Sequence, residues 1–294
     1  MINLKSGSNT WGFNLLNTFY DRSYNTRITR DGATLDTGPM IAAWYTQSEQ
    51  TRADLTAHLD LRYGDAHRET LDIFPATTAT NRWLLFIHGG YWRGVTKESS
   101  SFLARPFVEA GYNVALIEYD LCPAVPISMI VAQCRRALAW VYHHAADYDL
   151  TCEEIIVAGH SAGGHLTAMM WATDWSRYQL PQGLIRGGIA LSGLFDLDPI
   201  RYTNINEQVK LTDNDVITLS PARLVPLIAA PLVLAIGERE STEFHRQAQV
   251  LFGSHSWRDA VVASEVVVGA HHFDILTAFM DLDHPMWHVL RDNK

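Results

Sequence analysis

Cysteine is scarce in this chain of 294 residues: there are three, Cys122, Cys134 and Cys152. An odd number at wide spacing fits neither a disulfide framework nor a zinc cluster, so reduced thiols in or near the core are expected. Positive charge is also in short supply. Lys and Arg number 23 against 32 Asp and Glu, a formal charge of −9, and no basic run is present that would track a phosphate backbone. Nucleic acid is therefore not an expected partner. No segment offers about 18 uninterrupted apolar residues, and the opening MINLKSGSNTWGF lacks the apolar stretch of a signal peptide. These absences lead to the expectation of a soluble, cytoplasmic protein with no membrane partner. Internal repeats, low-complexity tracts and linkers are missing too. With 47% hydrophobic residues the chain can fill a sizeable core, and one domain over residues 1–294 is expected, residues 1–60 forming an N-terminal cap.

What is present centres on Glu154 to Trp171, EIIVAGHSAGGHLTAMMW. Four strand-prone residues, Ile155 to Ala158, run into Gly-His-Ser-Ala-Gly and then into a helical pattern carrying Leu166, Met169 and Met170. This strand, sharp turn and helix is the context of a nucleophile elbow. Gly159 and Gly163 let the two elements approach, and Ser161 is held in a strained turn with its hydroxyl exposed. The plainer alternative is that Ser161 only caps the helix.

Around the elbow the pattern alternates strands with helices. Residues 1–60 show little periodicity beyond a helix around 41–58, and their aromatics (Trp11, Phe13, Phe19, Tyr20, Tyr24, Trp44, Tyr45) read chiefly as packing residues, with reach of some into the substrate pocket as the alternative. Glu69 to Phe74 alternates polar and apolar residues, a half-exposed strand that begins the sheet. Arg82 to His88 is nearly continuous in apolar residues, as a strand covered on both faces requires, and Gly89-Gly90-Tyr91-Trp92 follows it. Further strands are expected at Asn113–Tyr119, Gly188–Leu194, Pro231–Ile236 and Glu265–Val268, with helices at about 127–144 and from Gln247. The fold class implied is α/β: a mostly parallel central sheet with helices on both faces and functional residues at the strand C-termini.

A serine nucleophile needs a base, an orienting acid and donors for an oxyanion, in the chain order Ser, acid, His for this arrangement. His271 and His272 follow the late strand, and one of them is the expected base. The acid should leave the strand PLVLAI, where Glu238, Glu240 and Glu243 stand without an Asp. Glu238 lies too close to the strand end and Glu243 begins the next helical pattern, which favours Glu240, and Asp196, after the preceding strand, is the rival.

The segments LRYGDAHRETLDIFPA, FIHGGYWRG, YDLCP, GHSAGGHL, LSGLFDL and EFHRQ through HHFDIL cover most of residues 61–280. Together and in this order they resemble the kynurenine formamidases (arylformamidases), α/β-hydrolases related to the carboxylesterases and lipases with His-Gly-Gly motifs. The resemblance implies an α/β-hydrolase fold with Ser161 as nucleophile, His272 as base and Glu240 as acid. It implies an oxyanion hole from the N–H groups of Gly90, Tyr91 and Ala162. Tyr91 and His160 are further residues expected to face substrate, and Trp92 is expected either to face it as an aromatic wall beside Tyr91 or to pack against the sheet. Two positions depart from the family's pattern: Glu240 stands where Asp is usual, and Ser241-Thr242-Glu243-Phe244 where Ser-Pro-Glu-Phe is.

The activity so implied is cleavage of an N-formyl or N-acyl aromatic amine, such as N-formylkynurenine or an N-acylanthranilate, with aryl esters as further substrates. No cofactor is expected. No metal is implied, because the HxGTHxDxPxH pattern of the unrelated metal-dependent formamidases is absent. The partner expected is thus a small aryl amide or ester, and a homodimer is an assembly compatible with this reading. A short-chain carboxylesterase is the nearest alternative, and a non-catalytic ligand-binding protein of the same fold is the alternative from another class.

Overall fold

Residues 10–292 are described in a computed structural model, with side chains from Leu15 to Leu290; the packing expected of Trp11 and Phe13 lies outside the described side chains. Among the described residues the strands are β1 (His58–Arg62), β2 (Thr70–Phe74), β3 (Arg82–Ile87), β4 (Asn113–Ile117), β5 (Glu154–His160), β6 (Ile185–Leu191), β7 (Leu232–Gly237) and β8 (Val261–Val267). They form one sheet in the order β1-β2-β4-β3-β5-β6-β7-β8. The pairs β1–β2 and β2–β4 are antiparallel and every later pair is parallel.

The helices are α1 (Thr10–Ser23), α2 (Gly38–Asp54), α3 (Ala104–Glu109), α4 (Ile127–His144) and α5 (Ala162–Trp171) before the centre of the chain. After it come α6 (Asn206–Val209), α7 (Asp213–Leu219), α8 (Thr242–Phe252), α9 (Ile275–Met280) and α10 (Pro285–Asp292). Successive side chains of a strand point to opposite faces, so the run Trp83-Leu84-Leu85-Phe86-Ile87 must supply two cores at once. It does. Trp83, Leu85 and Ile87 pack with α4, α5 and α8, whereas Leu84 and Phe86 pack with α3, α9 and α10 on the other face. α4 meets the sheet along Ile127, Ile130, Val131, Cys134, Ala137, Leu138 and Val141, all buried and spaced as one helical stripe.

Several boundaries differ from the sequence-based expectation. The sheet does not start at β2: β1 precedes it as an edge strand, and its alternation HLDLR is hidden by partial exposure throughout and by a bulge at Asp60, whose φ is 56°. The helix expected over 41–58 spans Gly38–Asp54, because Gly-Pro supplies its first turn and Leu55 is already extended. β6 begins at Ile185, β8 spans Val261–Val267, and α8 starts at Thr242 rather than Gln247.

Cys122, Cys134 and Cys152 are free and buried. Burial pushes the Cys122 thiol up to about 11 and the Cys152 thiol up to about 12, and raises Cys134 as well. Among the described residues no helix is long and apolar enough to cross a membrane.

Candidate active site

The site forms where β3, β5, β7 and β8 end. β5 stays paired up to the turn, for the Ser161 N–H donates to Leu191 O at 2.8 Å. Ser161 then takes φ 59° and ψ −119°, and α5 begins at the next residue. A non-glycine residue with positive φ is held there by its surroundings at a cost of about 1 to 3 kcal/mol. Gly163 shows why the turn needs glycine: a Cβ on it would sit 1.9 Å from the carbonyl oxygen of Ile87. The missing side chain lets α5 lie against the end of β3. Gly163→Ala is therefore expected to destabilise the fold by about 1 to 3 kcal/mol or more, visible as a lower urea midpoint with an unchanged slope. A midpoint equal to the parent's would contradict this close approach.

The loop after β3 passes beside the elbow. A Cβ on Gly89 would lie 3.0 Å from the Cβ of Ser161. Gly90, Tyr91 and Trp92 follow with φ of 99°, 50° and 56°, three left-handed residues in succession. The loop is held from several sides. His88 places Nδ1 2.9 Å from Gly89 O and Nε2 3.0 Å from Glu118 Oε1, and the Tyr119 hydroxyl donates to His88 O at 2.7 Å. The N–H groups of Gly90, Tyr91 and Ala162 meet no acceptor among the described residues and remain available.

β7 ends at Gly237 and a tight turn follows, closed by Glu240 N–H to Gly237 O at 3.1 Å. Three donors converge on the Glu240 carboxyl. Oε2 lies 2.6 Å from His272 Nδ1, while Oε1 accepts from Ser192 Oγ at 2.5 Å and from Gly237 N–H at 2.8 Å. Glu240 and His272 are both buried. The Arg239 N–H donates to Ala270 O at 2.9 Å and ties the acid turn to the loop after β8, while the Phe244 ring packs on His272 with centroids 4.7 Å apart.

The other acid candidates are engaged elsewhere. Glu238 accepts from Gly269 N–H at 2.7 Å, Glu243 accepts from the Tyr24 hydroxyl and Arg246, and Asp196 pairs with Arg223 and Arg246. His271 is committed as well: its Nδ1 accepts the N–H of Phe273 at 3.1 Å, and it does not line the cavity that Ser161 and His272 share.

That cavity has a volume of about 100 Å³ and a mainly apolar wall. Trp44 of α2, Phe102 and Phe273 build one side, with Trp44 stacked on Phe102 at 5.8 Å and tilted against Phe273 at 5.9 Å. Tyr91 and His160 line it, as do Thr26, Ser99 and Ser100. Trp92 does not. Its indole is fully buried and donates from Nε1 to His165 Nδ1 at 3.2 Å, since the left-handed backbone turns it down onto α5. The expectation that Trp92 faces substrate is thereby corrected. His160 uses its Nε2–H on the carbonyl of His272 at 2.7 Å. Burial, with the His272 charge a lesser cause, holds this imidazole well below its usual range, so it stays neutral. Among the described residues no cluster of His, Cys, Asp and Glu is arranged to hold a metal ion.

Sequence reasoning missed Ser192, Thr26, Phe102 and Phe273, and it named Trp44 only within the group of N-terminal aromatics of which some reach the pocket. Ser192 sits in LSGLFDL directly after β6, so a polar residue at a strand C-terminus was the available signal. Trp44 and Thr26 reach the cavity from the N-terminal segment and carry no local signal of it.

Comparison with known proteins gives the same architecture. The BD-FAE family profile matches residues 71–251. Kynurenine formamidase of Salmo salar is 34% identical over 83% of this chain and 84% of its own length, and that of Danio rerio is 30% identical over 85% and 86%. The crystal structure of a putative thioesterase from Silicibacter sp. TM1040 superposes with a TM-score of 0.79 at 31% identity, covering 92% of this chain and 98% of that one.

Proposed function

From the premise that the chain belongs to the BD-FAE family and to the kynurenine formamidase family of α/β-hydrolases, we propose that it is a serine hydrolase cleaving the amide of N-formyl or N-acyl aromatic amines. N-formylkynurenine and N-acylanthranilates are the representative substrates. The observation that carries the reading is the 2.6 Å contact of His272 Nδ1 with Glu240, made by a histidine that shares its cavity with Ser161.

The carboxylate accepts the Nδ1 proton and so leaves Nε2 as the basic nitrogen. His272 takes the proton from Ser161 Oγ as Oγ attacks the substrate carbonyl. The carbonyl π electrons move onto oxygen, where the N–H groups of Gly90, Tyr91 and Ala162 receive the charge. Preorganised donors of this kind contribute roughly 3 to 4 kcal/mol each where one has been removed and measured. His272 then returns the proton to the amine nitrogen, the C–N bond breaks, and the acyl group stays on Ser161. Water, deprotonated by the same imidazole, attacks the ester; the bond from the acyl carbon to Ser161 Oγ then breaks, Oγ takes the proton back from His272, and the acid is released. An aryl amine suits the leaving step because its lone pair delocalises into the ring, and the Trp44, Phe102 and Phe273 wall offers apolar surface for that ring.

A short-chain esterase uses the same machinery on another leaving group, and the two readings separate by substrate. We expect rates on N-formylkynurenine, N-acetylanthranilate, longer N-acyl homologues and p-nitrophenyl esters, each divided by the substrate's rate in hydroxide, to favour the short N-acyl aryl amides by at least about tenfold. A normalised preference for p-nitrophenyl esters would move the assignment to the carboxylesterases. Labelling of Ser161 by a fluorophosphonate excludes a purely ligand-binding role; a chain that neither labels nor turns over any of these compounds would establish one.

A further inference from the structure

The segment between α1 and α2 lies over the end of the sheet where the two functional loops arrive, and one of its residues touches both. The carbonyl of Tyr24 accepts a hydrogen bond from the Tyr91 hydroxyl at 2.6 Å. The hydroxyl of Tyr24 donates to Glu243 Oε2 at 3.0 Å and accepts from Gln247 Nε2 at 2.7 Å, in the first turns of α8. That helix begins two residues after Glu240. Two further ties reinforce the contact: the Ser241 side chain donates from Oγ to Ser23 O, and the backbone N–H of Arg30 donates to Arg239 O at 2.8 Å. Tyr24 itself is buried.

The loop carrying Tyr91 has need of such an anchor. Tyr91 and Trp92 both occupy the left-handed region, which costs a non-glycine residue on the order of 1 kcal/mol or more and relaxes unless surrounding contacts prevent it. Trp92 is secured from below by His165 and by Cys122 N–H to Trp92 O at 2.7 Å. The Tyr91 side chain makes its hydrogen bond to Tyr24. Burial pushes this phenol well above its usual range, so it remains a donor. We propose that Tyr24 is a positioning residue, a strut that sets the spacing between the loop bearing the Tyr91 N–H and the turn bearing Glu240. The proposal rests on the reading of the site given above, and it assigns a role to a stretch that precedes the BD-FAE match.

The test is Tyr91→Phe in the full chain, with p-nitrophenyl acetate as reporter. Losing one hydrogen bond that holds an oxyanion donor in place should lower kcat about tenfold with KM within about twofold. Phenylboronic acid, whose tetrahedral adduct on a serine carries a negatively charged oxygen, should bind more weakly by the same factor as kcat falls. A bond that serves only the fold would lower the urea midpoint and leave kcat and the boronate constant at parental values, and that result overturns the strut. Tyr24→Phe keeps the carbonyl that Tyr91 uses and removes the contacts to Glu243 and Gln247. It should lower kcat as well, and the double variant should lose less than the product of the two single losses. Losses that multiply fully would show two separate contacts and overturn the coupling. Ser161→Ala separates the levels: if it is inactive while Tyr91→Phe keeps parental kcat, the strut fails and the serine reading stands, whereas an active Ser161→Ala enzyme removes both.

Discussion

Ser161→Ala should lose more than about a thousandfold in kcat/KM while unfolding at the parental urea concentration. The substitution removes one hydroxyl from a turn whose geometry is set by Gly163 and by the Ser161 N–H bond to Leu191, neither of which involves the side chain. His272→Ala should lose about as much, and combining the two should add little, because groups that act as a unit are not additive. His271→Ala should lose far less: its Nδ1 serves the N–H groups of Phe273 and Asp274 and not the cavity. A Ser161→Ala enzyme with more than about a tenth of parental activity and saturable kinetics would contradict the nucleophile assignment. A His271 variant more damaged than the His272 variant would move the base by one residue.

The second large effect is expected at the acid. Glu240→Gln preserves shape but presents an amide to His272 Nδ1, where the wrong tautomer is then favoured; an analogous exchange elsewhere costs on the order of ten-thousandfold. We expect a loss of at least about a hundredfold. The amide also faces Ser192 Oγ and Gly237 N–H across Oε1, so it must satisfy three partners that all suit a carboxylate. Glu240→Asp should recover only part of the activity, since a side chain one methylene shorter draws its carboxylate away from His272 Nδ1, which Glu240 meets at 2.6 Å. Asp196→Asn should stay close to the parent, because Asp196 is held by Arg223 and Arg246. A dead Asp196→Asn enzyme beside an active Glu240→Gln one would reverse the assignment.

Much of the fold was legible in the sequence because buried parallel strands are continuous apolar runs. β3, β4, β5 and β7 sit within a few residues of where such runs occur. β1 escaped notice because an exposed edge strand with a bulge has no such run. The glycine spacing and the strand before it pointed to the elbow, and the resemblance singled out one Glu and one His. Spacing set Glu240 ahead of Glu238 and Glu243, but sequence alone left Asp196 as the rival, because what separates it from Glu240 is the cations it already holds. The aromatic wall was not legible in the same way. Trp44, Phe102 and Phe273 stand far apart in the chain, and only packing of α2 against both the segment Lys97–Leu103 and the loop after β8 brings them to one surface.

The three cysteines carry a practical consequence. With their thiols protonated and covered, no thiolate is available at neutral pH to attack a disulfide reagent until the chain opens. Their modification rate is then a clock for structural opening. Cys134 faces the sheet from the middle of α4, whereas Cys152 lies in the loop just before β5. Cys152 therefore times local fraying at that loop and Cys134 the parting of helix from sheet, two depths of unfolding read from one unmodified chain.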